Sequence, residues 1–95
     1  MQNLFYCNQE TVKTYSFLAE NINKTKHVFL NDVDVIIGTS FRIKTKNNVL
    51  MSIAHSIDTC GELETILLDA NGTLDHDTLM YHDNRQELLK YIMEN

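Results

Sequence analysis

The side chain with the most chemical promise in this sequence is His55. It ends the run Met51-Ser52-Ile53-Ala54-His55 and lies fourteen residues beyond the Phe41 of Gly38-Thr39-Ser40-Phe41. An imidazole titrates near neutral pH, and a carboxylate that holds one ring nitrogen fixes the tautomer with which the other accepts a proton. Cys60, five residues on, is a nucleophile by type. Its surroundings read as a loop without oxyanion-holding groups, so it is not expected to act as one. A second cluster, Asp75-His76-Asp77 with His82-Asp83, combines imidazole and carboxylate in a set able to ligate a divalent metal, and alternate strand residues Asp75 and Asp77 would face the same way. Neighbouring acids on a surface strand account for the same letters, and neither a metal nor a cofactor is expected. Gly38 and Gly72 stand alone, so no phosphate-cradling loop is present.

These residues need a scaffold, and the hydrophobic pattern sketches one. Asn8 followed by Gln9, Glu10 and Thr11 is a helix start, and Val12, Tyr15, Leu18 with Ala19, and Ile22 recur at helical spacing, which predicts a helix over 9–22. Val33, Val35, Ile37, Thr39, Phe41 and Ile43 alternate with smaller or polar residues, the clearest strand pattern in the chain. Lys46-Asn47-Asn48 turns into a second alternating run, Val49, Met51 and Ile53, and the two read as a hairpin. A helix through Val49, Leu50, Ile53, Ala54 and Ile57 is the weaker alternative. Residues 64–69 form a short β-rich run, Ala70-Asn71-Gly72 is the strongest turn signal, and a further strand is expected between 73 and 81. One more near 26–30 brings the count to five. The tail is open: Leu89, Tyr91 and Met93 share a face in a strand, whereas Leu88, Leu89, Ile92 and Met93 share one in a helix capped by Asn84 and Glu87. Local signals favour the helix.

Ninety-five residues with 43% apolar content fit one globular domain with one modest core, and no proline or low-complexity linker divides it. No apolar run reaches membrane-spanning length, so no membrane association is expected. Two cysteines far apart suggest neither a disulfide framework nor zinc spacing, and a cytoplasmic setting is the expectation. The net charge of −5 is uneven. Residues 1–57 carry six Lys/Arg against four Asp/Glu, and 58–95 carry two against nine, so the halves are +2 and −7. That asymmetry steers a basic partner toward the C-terminal half and disfavours nucleic acid. Arg42, Lys44 and Lys46 form the single basic stripe, read as a solvated strand face.

Residues 38–56 resemble the first-barrel hairpin of chymotrypsin-like proteases, in which a Gly-rich turn ending in Phe leads to a hydrophobic-Ser/Thr-Ala-small-His-Cys run. Met51, Ser52, Ala54 and His55 fit; Ile53 and Ser56 stand where Ala and Cys are usual. The leading helix, and Glu87-Leu88-Leu89-Lys90 as an acid on a hydrophobic strand, look most like the compact cysteine proteases of picornavirus-like viruses. The resemblance implies His55 as general base and Glu87 as the carboxylate orienting it, with Asp83 as substitute. No Gly-x-Ser-Gly or Gly-x-Cys-Gly loop is present, so a second barrel would have to bring nucleophile and oxyanion donors. The expected fold is α+β or mainly β: an N-terminal helix packed on an antiparallel, barrel-like sheet of five to six strands. Two functions follow. The chain is the N-terminal barrel of such a protease, inactive without its second barrel, or a small acidic viral or phage interaction protein that binds a basic protein partner.

Overall fold

The computed structural model describes residues 2–22, 28–29, 40–55 and 62–95, with side chains over 9–22, 40–55 and 62–95. Helix α1, Gln2–Asn21, begins well before the expected start at residue 9, because no glycine or proline in the first turns stops it. Asn8 therefore lies inside the helix rather than capping it. The buried face is also rotated from the expected one. Thr11, Thr14, Leu18 and Ile22 are buried and Tyr15 packs against the core, while Val12 is exposed. Two threonines occupy core positions that an apolar count passes over, and the hydroxyl of Thr14 is hydrogen-bonded there.

The strands follow in chain order as β1, Val28–Phe29; β2, Ser40–Lys44; β3, Leu50–His55; β4, Leu63–Leu68; and β5, Leu74–His82. All neighbours pair antiparallel in the order β1-β2-β3-β4-β5. Four strands of five residues or more thus make an open sheet, extended at the β2 edge by the two-residue β1. Among the described residues no pairing joins β1 to β5, so the expected barrel closure is not seen. The expected strand at 33–43 is described from Ser40 onward; its earlier part, and Cys60, lie outside the described residues.

Alternation decides which side each strand residue takes. Phe41 and Ile43 on β2, Met51, Ile53 and His55 on β3, Leu63 and Thr65 on β4, and His82 on β5 are all buried. The β2–β3 turn passes through Asn48 at φ 66°, a left-handed value asparagine tolerates, and is closed by Thr45 N–H to the Val49 carbonyl and Asn48 N–H to the Thr45 carbonyl, both 2.9 Å. Between β4 and β5 the Asn-Gly signal becomes a turn with Gly72 at φ 80°. Asp69 Oδ1 accepts from the N–H groups of Asn71 and Thr73 at 2.9 and 3.0 Å. A register shift lies between Thr65 and Leu67, where the Thr78 hydroxyl donates to the Asp75 carbonyl and accepts from Leu67 N–H.

The tail is a helix, α2, Arg85–Glu94, and not the strand that the protease resemblance implied. Asn84 in extended backbone caps it, its Oδ1 accepting from Glu87 N–H at 2.9 Å. Leu88 and Ile92, four apart, are fully buried on one helix face, and the adjacent Leu89 packs against the same core. A strand would have sent the neighbours Leu88 and Leu89 to opposite sides. Helix α1 lies over β2 and β3, and α2 packs on β5 and on α1, so both helices cover the same sheet face. The core between them is Leu18, Ile22, Phe41, Ile43, Met51, Ile53, Leu63, Leu88 and Ile92. Tyr15 meets Phe41 edge-on, ring centroids 5.3 Å apart.

Candidate functional site

The sheet register assembles a polar cleft at one end of the core. His55 pairs with Leu63 across β3–β4, and Leu63 with His82 across β4–β5, so the two histidines lie in one cross-strand row and face the same side. Helix α1 brings Glu10 and Thr14 above this row, and the start of α2 brings Asn84 and Arg85. Glu62 precedes β4 and Asp83 follows β5. Glu10, His55, Glu62, Leu63, His82, Asp83, Asn84 and Arg85 line a cavity of about 380 Å³.

Thr14 is the hub behind the cleft. Its Oγ1 is 2.7 Å from His55 Nε2 and accepts from Arg85 Nε at 2.8 Å. A guanidinium is always a donor, so it occupies one lone pair of the hydroxyl oxygen. When His55 Nε2 is bare, the hydroxyl donates to it and the ring proton sits on Nδ1; when Nε2 is protonated, it donates to the second lone pair. In either tautomer Nε2 points at α1 and is satisfied. Arg85 continues the network: Nη2 donates to Glu10 Oε1 at 2.9 Å and lies 3.5 Å from the Glu10 carbonyl oxygen. Lys13 adds a second cation to Glu10 at 3.2 Å. Burial raises the Glu10 pKa, but the hydrogen bonds and charges of Lys13 and Arg85 outweigh it and hold the carboxyl below its ordinary value.

His82 makes the same kind of contact with a second threonine. Its Nε2 is 2.9 Å from Thr65 Oγ1, and the ring tilts over Tyr91 with centroids 5.0 Å apart. Burial lowers its pKa below the usual 6.5, and the negative charges of Asp83 and Glu87 offset part of that. The two carboxylates assigned to His55 by the resemblance therefore both act on the field at His82. Asp83 also shares the cavity with His55, whereas Glu87 is exposed on the first turn of α2 and is not among the lining residues.

Asp75, His76 and Asp77 are exposed on β5 while His82 is buried at its far end, so the strand itself separates the letters of the candidate metal cluster. Among the described residues, no group of three or more metal-ligating side chains comes together. Thr14, Thr65, Glu10, Glu62 and Arg85 are site residues that sequence reasoning missed. The available signal was the spacing of Thr11, Thr14 and Leu18 along one helix face, which placed hydroxyls where a core stripe belongs. Compared with protein-family models, curated proteins and solved structures, the chain matches none.

Proposed function

We propose that this protein is an interaction module that engages a basic segment of a protein partner through the cleft at the ends of β3, β4 and β5. The observation that carries the reading is the charge left over in the cleft. The cavity is lined by three carboxylates, Glu10, Glu62 and Asp83, and one guanidinium, Arg85, which is already committed to Glu10. Both histidines direct Nε2 to threonine hydroxyls. Glu62 and Asp83 are exposed acceptors at the mouth, suited to a lysine or arginine side chain. The −7 balance of residues 58–95 draws such a partner to the same end of the chain's charge distribution.

The test is titration with an arginine-rich peptide at low and at high salt, beside a neutral peptide of equal length. Binding is expected for the basic peptide alone and weakens with salt, since the contacts are exposed. Glu62→Gln with Asp83→Asn lowers affinity by roughly two- to fivefold per charge, the range of an exposed ion pair. Equal binding of the neutral peptide, or no response to the double substitution, overturns the proposal.

A second reading keeps one supporting observation: His55 and Asp83 line the same cavity. In it His55 is a general base oriented by Asp83 or Glu87, and the chain is the first barrel of a chymotrypsin-like protease, its sheet closing to five or six strands, with the nucleophile on a second barrel. The cytoplasmic, viral setting expected from the sequence belongs to either reading. The chain alone is expected to cleave no peptide on either reading; peptide cleavage that appears only when a nucleophile-bearing second barrel is added, and that His55→Ala abolishes, would establish this alternative and set the binding module aside.

A further inference from the structure

We propose that the group the cleft takes from its partner is a primary ammonium, seated between Glu62 and Asp83 with one N–H on Nδ1 of His82, an assignment that rests on the reading above. The observation that goes beyond charge is a buried ring nitrogen. His82 is 8% exposed, and it lines the cavity. Its Nε2 is taken by Thr65 Oγ1 at 2.9 Å, while Nδ1 has no hydrogen-bond partner among the described residues. Buried polar atoms are nearly always paired, so one left open beside a cavity marks a place for a ligand or a water. Burial also keeps the imidazole neutral near pH 7, and a neutral imidazole presents one bare nitrogen. A donor at Nδ1 fixes the tautomer: the ring proton then sits on Nε2 and is donated to Thr65 Oγ1.

The carboxylates supply the remaining acceptors. Leu63 and His82 are register partners, so Glu62 and Asp83 hold the next facing positions as the two chains leave the ladder. Both are exposed and line the cavity, and neither has a hydrogen bond or an ion pair among the described residues. The negative charge of Asp83 is felt at the His82 ring, which puts carboxylate and imidazole in one local field. Arg85, the cation of the cleft, is turned to Thr14 and Glu10 through Nε and Nη2. An ammonium is a compact point charge with three donors, one for each carboxylate and one for the ring. A guanidinium is a flat fork matched to a single carboxylate, which leaves one of the two acids unmet. A quaternary ammonium keeps the charge and has no N–H to give. The cavity of about 380 Å³ admits a lysine side chain or the first residue of a chain, and both present the same group.

The probes are four peptides of equal length: an end-blocked alanine peptide with a central lysine, the same peptide with trimethyllysine there, the same with arginine, and an all-alanine peptide with a free N-terminus. Each is titrated at low salt into the isotope-labelled protein while NMR follows the ring nitrogens of His82. We expect the lysine peptide to bind and to shift Nδ1. The trimethyllysine peptide should bind about ten- to a hundredfold more weakly, for want of charged N–H donors, with the arginine peptide between the two. Of the lysine and free-N-terminus peptides, the one that binds more tightly and shifts Nδ1 identifies the source of the ammonium. Equal affinity of the lysine and trimethyllysine peptides, with Nδ1 unmoved, overturns the ammonium assignment and leaves the basic-segment reading, in which charge alone binds. Tighter binding of the arginine peptide overturns it in favour of a guanidinium. Absence of binding by any of the four overturns both proposals. Because every change is made in the peptide, no outcome depends on whether a variant of the protein folds.

Discussion

Replacing Thr14 by valine removes one hydroxyl and keeps the shape, so its cost measures the hub directly. Thr14 is fully buried, His55 is 6% exposed, and the Arg85 side chain keeps 32% of its accessible surface. Deleting the hydroxyl leaves His55 Nε2 without its 2.7 Å partner in a buried setting, a loss of about 1–3 kcal/mol. Arg85 Nε loses its 2.8 Å acceptor too, but its guanidinium retains Glu10 and is reached by water, so its share is the smaller one. The sum is about 2–3 kcal/mol, a sizeable part of the roughly 5–15 kcal/mol typical of a domain. For a chain of 95 residues it corresponds to a fall in Tm of about 10–20 °C. Thr14→Ser is the control: it keeps the hydroxyl and loses a methyl, at about 1 kcal/mol. Chemical denaturation of the three proteins should show midpoints in the order wild type, serine, valine with a common m-value. A valine variant as stable as the serine variant would refute the claim that this hydroxyl stabilises the fold by satisfying His55 and Arg85.

Three further outcomes follow from the same geometry. His82 has its pKa lowered in the folded state, so the unfolded chain binds the proton more readily. Its contribution is full above about pH 6.5 and is lost as the pH falls toward the lower folded value, and Tm measured between pH 7 and 5 should fall less steeply in His82→Gln than in wild type. Asn84→Ala removes the acceptor for Glu87 N–H at the start of α2 and should cost about 0.5–2 kcal/mol by urea titration, with Asn84→Asp close to wild type. Gly72→Ala meets nothing within 4 Å, yet its φ of 80° is unfavourable for a side chain, so a loss of about 1–2 kcal/mol is expected from backbone strain alone; an unchanged midpoint would mean the turn relaxes.

Much of the scaffold was legible because its signals are local. Phe41, Ile43, Met51 and Ile53 alternate, and the structure buries each of them. Asn71-Gly72 marks the β4–β5 turn, and Asn84 with Glu87 three residues on marks the start of α2. The helix favoured by those local signals is the one observed, against the strand implied by resemblance. What stayed hidden depends on distant partners. Thr14 reads as a polar interruption of α1 until His55, 41 residues away, and Arg85, 71 residues away, are brought to it. The site residues divide the same way. The position of His55 at the end of a strand was readable from its hairpin, but the direction of its Nε2 toward α1 was not, because the helix face is rotated from the one its apolar residues suggest. Asp83 and Glu87 were readable as acids near a histidine; that their charge bears on His82 follows from where β5 ends and α2 begins.

The ion pair between Glu10 and Arg85 spans 75 residues of chain, and it dictates an order of assembly. During synthesis the first helix emerges long before the guanidinium that its carboxylate and Thr14 share. The hub therefore closes only after residue 85 has left the ribosome, and closure joins two segments 75 residues apart in the sequence. Contacts of such wide separation slow folding relative to a domain built from neighbours. Until that step, a growing chain exposes an unfinished helix face and an unpaired sheet edge together, the interval in which a chaperone or an aggregating neighbour has its opportunity.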